Sequence, residues 1–193
     1  RWHRWTDTTV AYLETMATQY PGFAGQYYSG SDFPMRSATP TNGYMFLSMI
    51  EYISTPTVGG YNAWFALPSI STTGAPLVDI TFYQNYRKFN NDQCWIDYSL
   101  DGTTWTAFEI NVKGIDVQVN GMRRGYTTIT LPTAIVNQAN VNLRMRWSCQ
   151  QDGYRGGTYG YYWAVDDVQF VEAPADRFRA VSNEYFEGFY QMM

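Results

Sequence analysis

The chain has 193 residues, enough for one domain to bury a full core without disulfide or metal staples. Hydrophobic residues make up 45% and aromatics 18%, which excludes a disordered chain, and 17 tyrosines with 7 tryptophans favour β structure, where flat rings pack on pleated surfaces. The net charge of −4 comes with no basic block, so no nucleic-acid partner is expected, and no apolar run reaches the roughly 18 to 20 residues that a membrane span requires.

The chain opens at Arg1 with neither an initiator Met nor a signal-peptide pattern, the expectation for a processed piece of a longer protein. The first 42 residues, rich in Thr, Ser, Gly and Pro, carry the weakest pattern and are assigned to the sandwich described below. Within them, residues 8–20 have helical spacing at Val10, Leu13 and Ala17. After Gly43 short β-type runs follow one another: "YMFLSMI" (44–50), "NAWFALP" (62–68), "LVDITFYQNY" (77–86) and "QCWIDYSL" (93–100). The series continues with "WTAFEINV" (105–112), "YTTITLP" (126–132), "VNLRMRWSC" (141–149) and "YYWAVDDVQFV" (161–171). In "LDGTTW", Asp101-Gly102 tolerates the positive φ of a tight hairpin turn. Residues 43–171 therefore predict an all-β fold, a two-sheet antiparallel β-sandwich of the jelly-roll kind, with little helix.

Period-two alternation is clearest in residues 141–149. Val141, Leu143, Met145, Trp147 and Cys149 share one face, and Asn142, Arg144, Arg146 and Ser148 the other, which meets solvent or ligand. Cys94 and Cys149 both fall on apolar faces; they are either unpaired buried thiols or a disulfide, which needs Cα atoms within about 7 Å. The same alternation applied to "GYYWAVDDVQF" (160–170) puts Ala164, Asp166, Val168 and Phe170 on the core face, with Asp167 toward water. An ionised carboxylate carried inward needs a compensating cation or several donors. Calcium, an arginine or a set of hydrogen-bond donors would each serve.

Four stretches, "NAWFALPSIS" (62–71), "LVDITFYQNY", "CWIDYSLDGTTW" (94–105) and "YYWAVDDVQF", together with "NVNLRMRWSCQQDG" (140–153), stand in the order found in MAM-like and cleaved-adhesin jelly-roll domains. The chain resembles that family, which includes the domains of gingipain-type surface adhesins and the tails of secreted peptidases, over residues 43–171. The resemblance implies a concanavalin-like sandwich at the cell surface or outside the cell. It also implies a structural Ca2+ held by the first Asp of the final-strand pair, Asp166, with Asp32 and Asn42 as candidates for the early-strand ligand. Residues 172–177, "EAPADR", read as a linker, and "SNEYFEGFYQMM" (182–193) resembles the opening strand of a following repeat. The other reading of that tail is a last strand of the same sandwich.

Nothing in the chain assembles into catalytic machinery by sequence. The one histidine, His3, sits in "RWHRW" between Trp2 and Trp5, so the nucleophilic triads that need a held histidine are not expected. Asp166 and Asp167 are adjacent and expected to face opposite ways, which rules out flanking one glycosidic bond. Asp79 with Asp97 or Glu109 could meet across a sheet. "SLDGTTW" is one residue short of a sialidase Asp-box and reads as a plain hairpin, and "GGTYG" has no helix start to hold a phosphate.

A non-catalytic binding role remains. The most suggestive loop is "QQDGYRGGTYGYY" (150–162), in which Tyr154, Arg155, Tyr159 and Tyr161 could take a sugar ring or anchor a protein. Two classes follow: an adhesion module of a larger secreted or surface protein that binds protein or glycan, or a carbohydrate-binding accessory module of a secreted hydrolase. A planar row of exposed aromatics on one sheet face would separate them, and alternation alone resolves none.

Overall fold

Among the described residues, nine strands form two antiparallel sheets. The computed structural model describes residues 3–5, 36–39, 42–48, 61–88, 92–111, 122–149 and 162–173. In chain order the strands are β1 (His3–Trp5), β2 (Tyr44–Ser48), β3 (Tyr61–Ala66), β4 (Val78–Arg87), β5 (Asp92–Ser99), β6 (Thr106–Ile110), β7 (Met122–Thr130), β8 (Asn142–Cys149) and β9 (Tyr162–Glu172). One sheet has the order β1-β2-β9-β4-β7 and the other β3-β8-β5-β6. The expected jelly-roll sandwich is the observed architecture. All eight expected strands are present, and β1 adds a ninth edge strand from the "RWHRW" stretch.

The alternation read in this strand holds over residues 141–148. Leu143, Met145 and Trp147 point inward with Cys94 and Ile96 of β5, against Ile80, Phe82 and Tyr86 of β4 and Trp163 and Val165 of β9. Trp147 and Trp163 are among the largest fully buried side chains, and the Tyr86 and Trp163 rings meet edge-on at 6.3 Å. Burying side chains of this size stabilises by roughly 2 to 3 kcal/mol each. Gln84 stands in this apolar layer and is fully matched. Its amide exchanges hydrogen bonds with the Asn111 amide at 2.9 and 3.0 Å, accepts the indole N–H of Trp163 at 3.1 Å and donates to Thr127 at 2.8 Å.

Cys94 is a free, buried thiol, so the disulfide alternative is not realised. Burial, foremost, pushes its titration far up, and the Asn111 side chain only partly opposes this. A thiol kept protonated in this way is unreactive.

The five-stranded sheet is buried on its outer side as well. Tyr44, Phe46, Tyr83, Asn85, Tyr162 and Ala164 are all buried there, with Phe46 and Tyr162 rings 6.1 Å apart and Tyr162 donating to Asn85 at 3.2 Å. The outer side of the four-stranded sheet is exposed at Asn62, Trp64, Ala66 and Ala107 and half-buried at Trp95, Arg144 and Arg146. Among the described residues no helix is long and apolar enough to cross a membrane.

Candidate functional site

The two aspartates of β9 answer to a register shift. Between Thr81, paired with Gln169, and Tyr83, paired with Asp166, β4 advances by two residues and β9 by three. The extra residue makes a β-bulge, and Asp167 takes φ 50°, a left-handed conformation that Asp tolerates better than most residues. The bulge switches the faces. Trp163 and Val165 lie in the core before it, Val168 and Phe170 pack against the core after it, and Asp166 does not join them.

Two expectations are corrected here. Asp166 is not carried into the core, and the two carboxylates do not serve opposite sides. Both hold the segment 37–39. The Ser37 hydroxyl donates to Asp166 at 2.5 Å, while Asp167 accepts the Ala38 N–H at 2.6 Å, the Thr39 hydroxyl at 2.5 Å and the Tyr126 hydroxyl at 2.7 Å. The physical reason is the bulge: one inserted residue shifts side-chain parity, and simple alternation counts no insertions.

Adjacent in sequence, the two carboxylates titrate in opposite directions. Burial raises Asp166, helped by the neighbouring Asp167 charge, and the Ser37 hydroxyl does not fully offset it. Burial also pushes Asp167 up, but the Thr39 and Tyr126 hydroxyls and the N–H groups of Ala38 and Thr39 outweigh it and hold the group below its ordinary range.

Calcium needs about six to eight oxygen ligands. The described neighbours of this pair are hydroxyl and N–H donors, which satisfy a carboxylate without a cation, so these residues do not make up a calcium shell. Among the described residues no group of three or more His, Cys, Asp or Glu could hold a metal. Asn42 is exposed, with its N–H bonded to the Thr39 carbonyl at 3.0 Å. Asp32 lies outside the described residues. So does the whole 150–161 loop with Tyr154, Arg155, Tyr159 and Tyr161.

The arrangement that sequence reasoning missed is on the outer side of the four-stranded sheet. Cross-strand pairing sets Trp64, Arg146, Trp95 and Glu109 in one row over β3, β8, β5 and β6, and Ala66, Arg144, Asp97 and Ala107 in the next. Arg144 lies over the Trp64 ring at 5.1 Å and the Trp105 ring at 4.2 Å, and Arg146 over the Trp95 ring at 4.8 Å. Beneath them Asp97 is buried and accepts Nε of Arg144 at 2.8 Å, Nε of Arg146 at 2.7 Å and Nη2 of Arg146 at 2.9 Å. The indole of Trp95 donates to Ser148 at 2.9 Å, and Gln93 to Glu109 at 3.2 Å. Trp64 remains 53% exposed.

Three indoles and two guanidinium groups thus share this face, the guanidinium groups held by charge-assisted hydrogen bonds to Asp97. The signals of this face were legible singly: the polar face of residues 141–149 and three tryptophans in β-type runs. Asp79 belongs to the other sheet, where it accepts the Thr130 hydroxyl at 2.7 Å, so it meets neither Asp97 nor Glu109.

No family model and no curated protein matches the chain. Among solved structures, the chain is similar to TmCBM61 in complex with β-1,4-galactotriose, with a TM-score of 0.38 and 8% identity over 68% of this chain and 71% of that one.

Proposed function

We propose that the chain is a non-catalytic binding module of a larger secreted or cell-surface protein, and that its ligand is a glycan laid on the outer face of the four-stranded sheet. The observation that carries this reading is the set of Trp64, Trp95 and Trp105 on the outer side of this sheet, with Trp64 53% exposed. Indoles present broad apolar surfaces against which the C–H faces of sugar rings stack at little entropic cost. A protein that buries Trp147 and Trp163 in its core while leaving Trp64 half exposed places the latter against the usual burial trend. Asp97 already has three donors, so a ligand that covers this face does not strand its carboxylate.

The resemblance to MAM-like and cleaved-adhesin domains supports the same extracellular setting. Adhesion module and accessory module of a hydrolase both remain forms of this reading, and the tryptophan row favours a glycan ligand in either. A glycan array probed with the chain and with Trp64→Ala tests it. Selective binding that disappears in the variant is expected; binding that survives Trp64→Ala places the ligand elsewhere.

A further inference from the structure

We infer that the glycan is acidic, and that Arg144 reads its carboxylate. The inference rests on the tryptophan face being the binding surface, and adds the chemical class of what binds there. Arg144 and Arg146 stand two residues apart on β8 and share Asp97, yet they are committed to different degrees. Arg146 spends Nε and Nη2 on Asp97 and Nη1 on Asn62, the last at 3.4 Å. Arg144 spends Nε alone. Among the described residues its two terminal nitrogens, Nη1 and Nη2, donate to no protein atom.

Those two nitrogens form the end of a rigid planar fork whose spacing matches both oxygens of a carboxylate. Trp64 and Trp105 flank the guanidinium, and Asp97 anchors it at Nε, so its orientation is set before any ligand arrives. Its side chain is 18% exposed, which leaves the edge of the fork in reach of solvent.

A uronic acid has the two features that this pairing asks for. Its pyranose ring offers an apolar C–H face to Trp64. Its carboxylate, one bond off the ring, sits roughly 3 Å from the ring centre. The Arg144 guanidinium carbon lies 5.1 Å from the Trp64 ring centroid, so indole and guanidinium are neighbouring features of one surface. A neutral sugar would stack but leave the fork to water. An acidic peptide would fill the fork but leave the indole uncovered. Because the chain as a whole carries −4, attraction for an anion here is local to this fork.

Titration calorimetry of the whole chain tests the inference with three probes: galacturonic acid oligomers, galactose oligomers of the same length and linkage, and polyglutamate. The variants are Trp64→Ala, Arg144→Gln and Arg144→Lys. The last keeps a charge above Asp97 and serves if Arg144→Gln does not fold. The acidic oligomers should bind about tenfold or more tighter than the neutral ones, as expected for a charge-assisted bidentate contact. Either Arg144 variant should cost the acidic sugar more than the neutral one and so erase that advantage, and Trp64→Ala should weaken both sugars. Equal affinity for the two sugars, both lost in Trp64→Ala and both unmoved in Arg144→Lys, overturns the acidic assignment and leaves the glycan face standing. Polyglutamate binding as tightly as the acidic sugar, and unaffected by Trp64→Ala, overturns the glycan class itself. Binding of none of the three overturns the acidic assignment, and Trp64-dependent binding to any glycan on the array then keeps the face.

Discussion

Asp97 lies beneath Arg146 and receives two parallel donors from it, Nε at 2.7 Å and Nη2 at 2.9 Å, while Arg144 adds a third contact at 2.8 Å. One buried carboxylate thus fixes two arginines, and the arginines fix the tryptophans that they stack on. Asp97 contacts no candidate ligand surface directly; it positions the groups that do.

Asp97→Ala should therefore act twice. Removing the acceptor leaves two partly buried guanidinium groups facing each other, a loss of about 2 to 3 kcal/mol readable as a lower urea midpoint at an unchanged slope. The stacking geometry should loosen in the same variant, so glycan affinity measured well below the unfolding transition should also fall. Intact affinity in a destabilised Asp97→Ala protein would show that the arginines do not hold the face in place.

The β9 pair makes a prediction of opposite signs. Asp167 is held below the ordinary carboxylate value of 3.8, so its contribution to stability is present above that value and lost as pH falls through the lowered one. Asp166 is raised, so its contribution is present below 3.8 and lost as pH rises through the raised value; at neutral pH its charge is a net cost. Asp167→Asn should lower the Tm at neutral pH, with the deficit shrinking as the pH falls below 3.8. Asp166→Asn should leave the Tm unchanged or raise it at neutral pH. Asn tolerates the left-handed backbone of position 167, so strain does not confuse the comparison. Equal destabilisation by both substitutions would contradict the assignment.

How much of this was legible beforehand differs by level. The strands were, because each is bounded by turn residues and carries its own β-type pattern, and β8 announced its inner and outer faces by strict alternation. The bulge was not. A single inserted residue at Asp167 leaves no mark in composition, yet reverses which side Asp166 takes. Nor was the tryptophan face. Trp64 and Arg146 are neighbours only because β3 pairs with β8, more than 80 positions along the chain, and local pattern holds no information on which strands become adjacent. The strand His3–Trp5 was not legible either, because three residues are too few to show alternation and the strand exists through pairing with β2.

Chelation gives a third test. The Ser37–Thr39 segment and Tyr126 supply Asp166 and Asp167 with protein donors, so excess chelator should leave the melting temperature where it was. A ligand bound only by the native state would stabilise it by mass action, and its removal would show as a drop. Such a drop, abolished in Asp166→Asn, would restore calcium to this position with ligands from outside the described residues.

The most direct test of the binding face compares Trp64→Ala/Trp105→Ala with Tyr154→Ala for binding to the glycans that the unaltered chain selects on an array. The double variant should lose that binding with its Tm little changed, and Tyr154→Ala should keep it. The reverse result, with binding intact in the tryptophan variant and gone in Tyr154→Ala, would move the site to the 150–162 loop and remove the sheet face from the account.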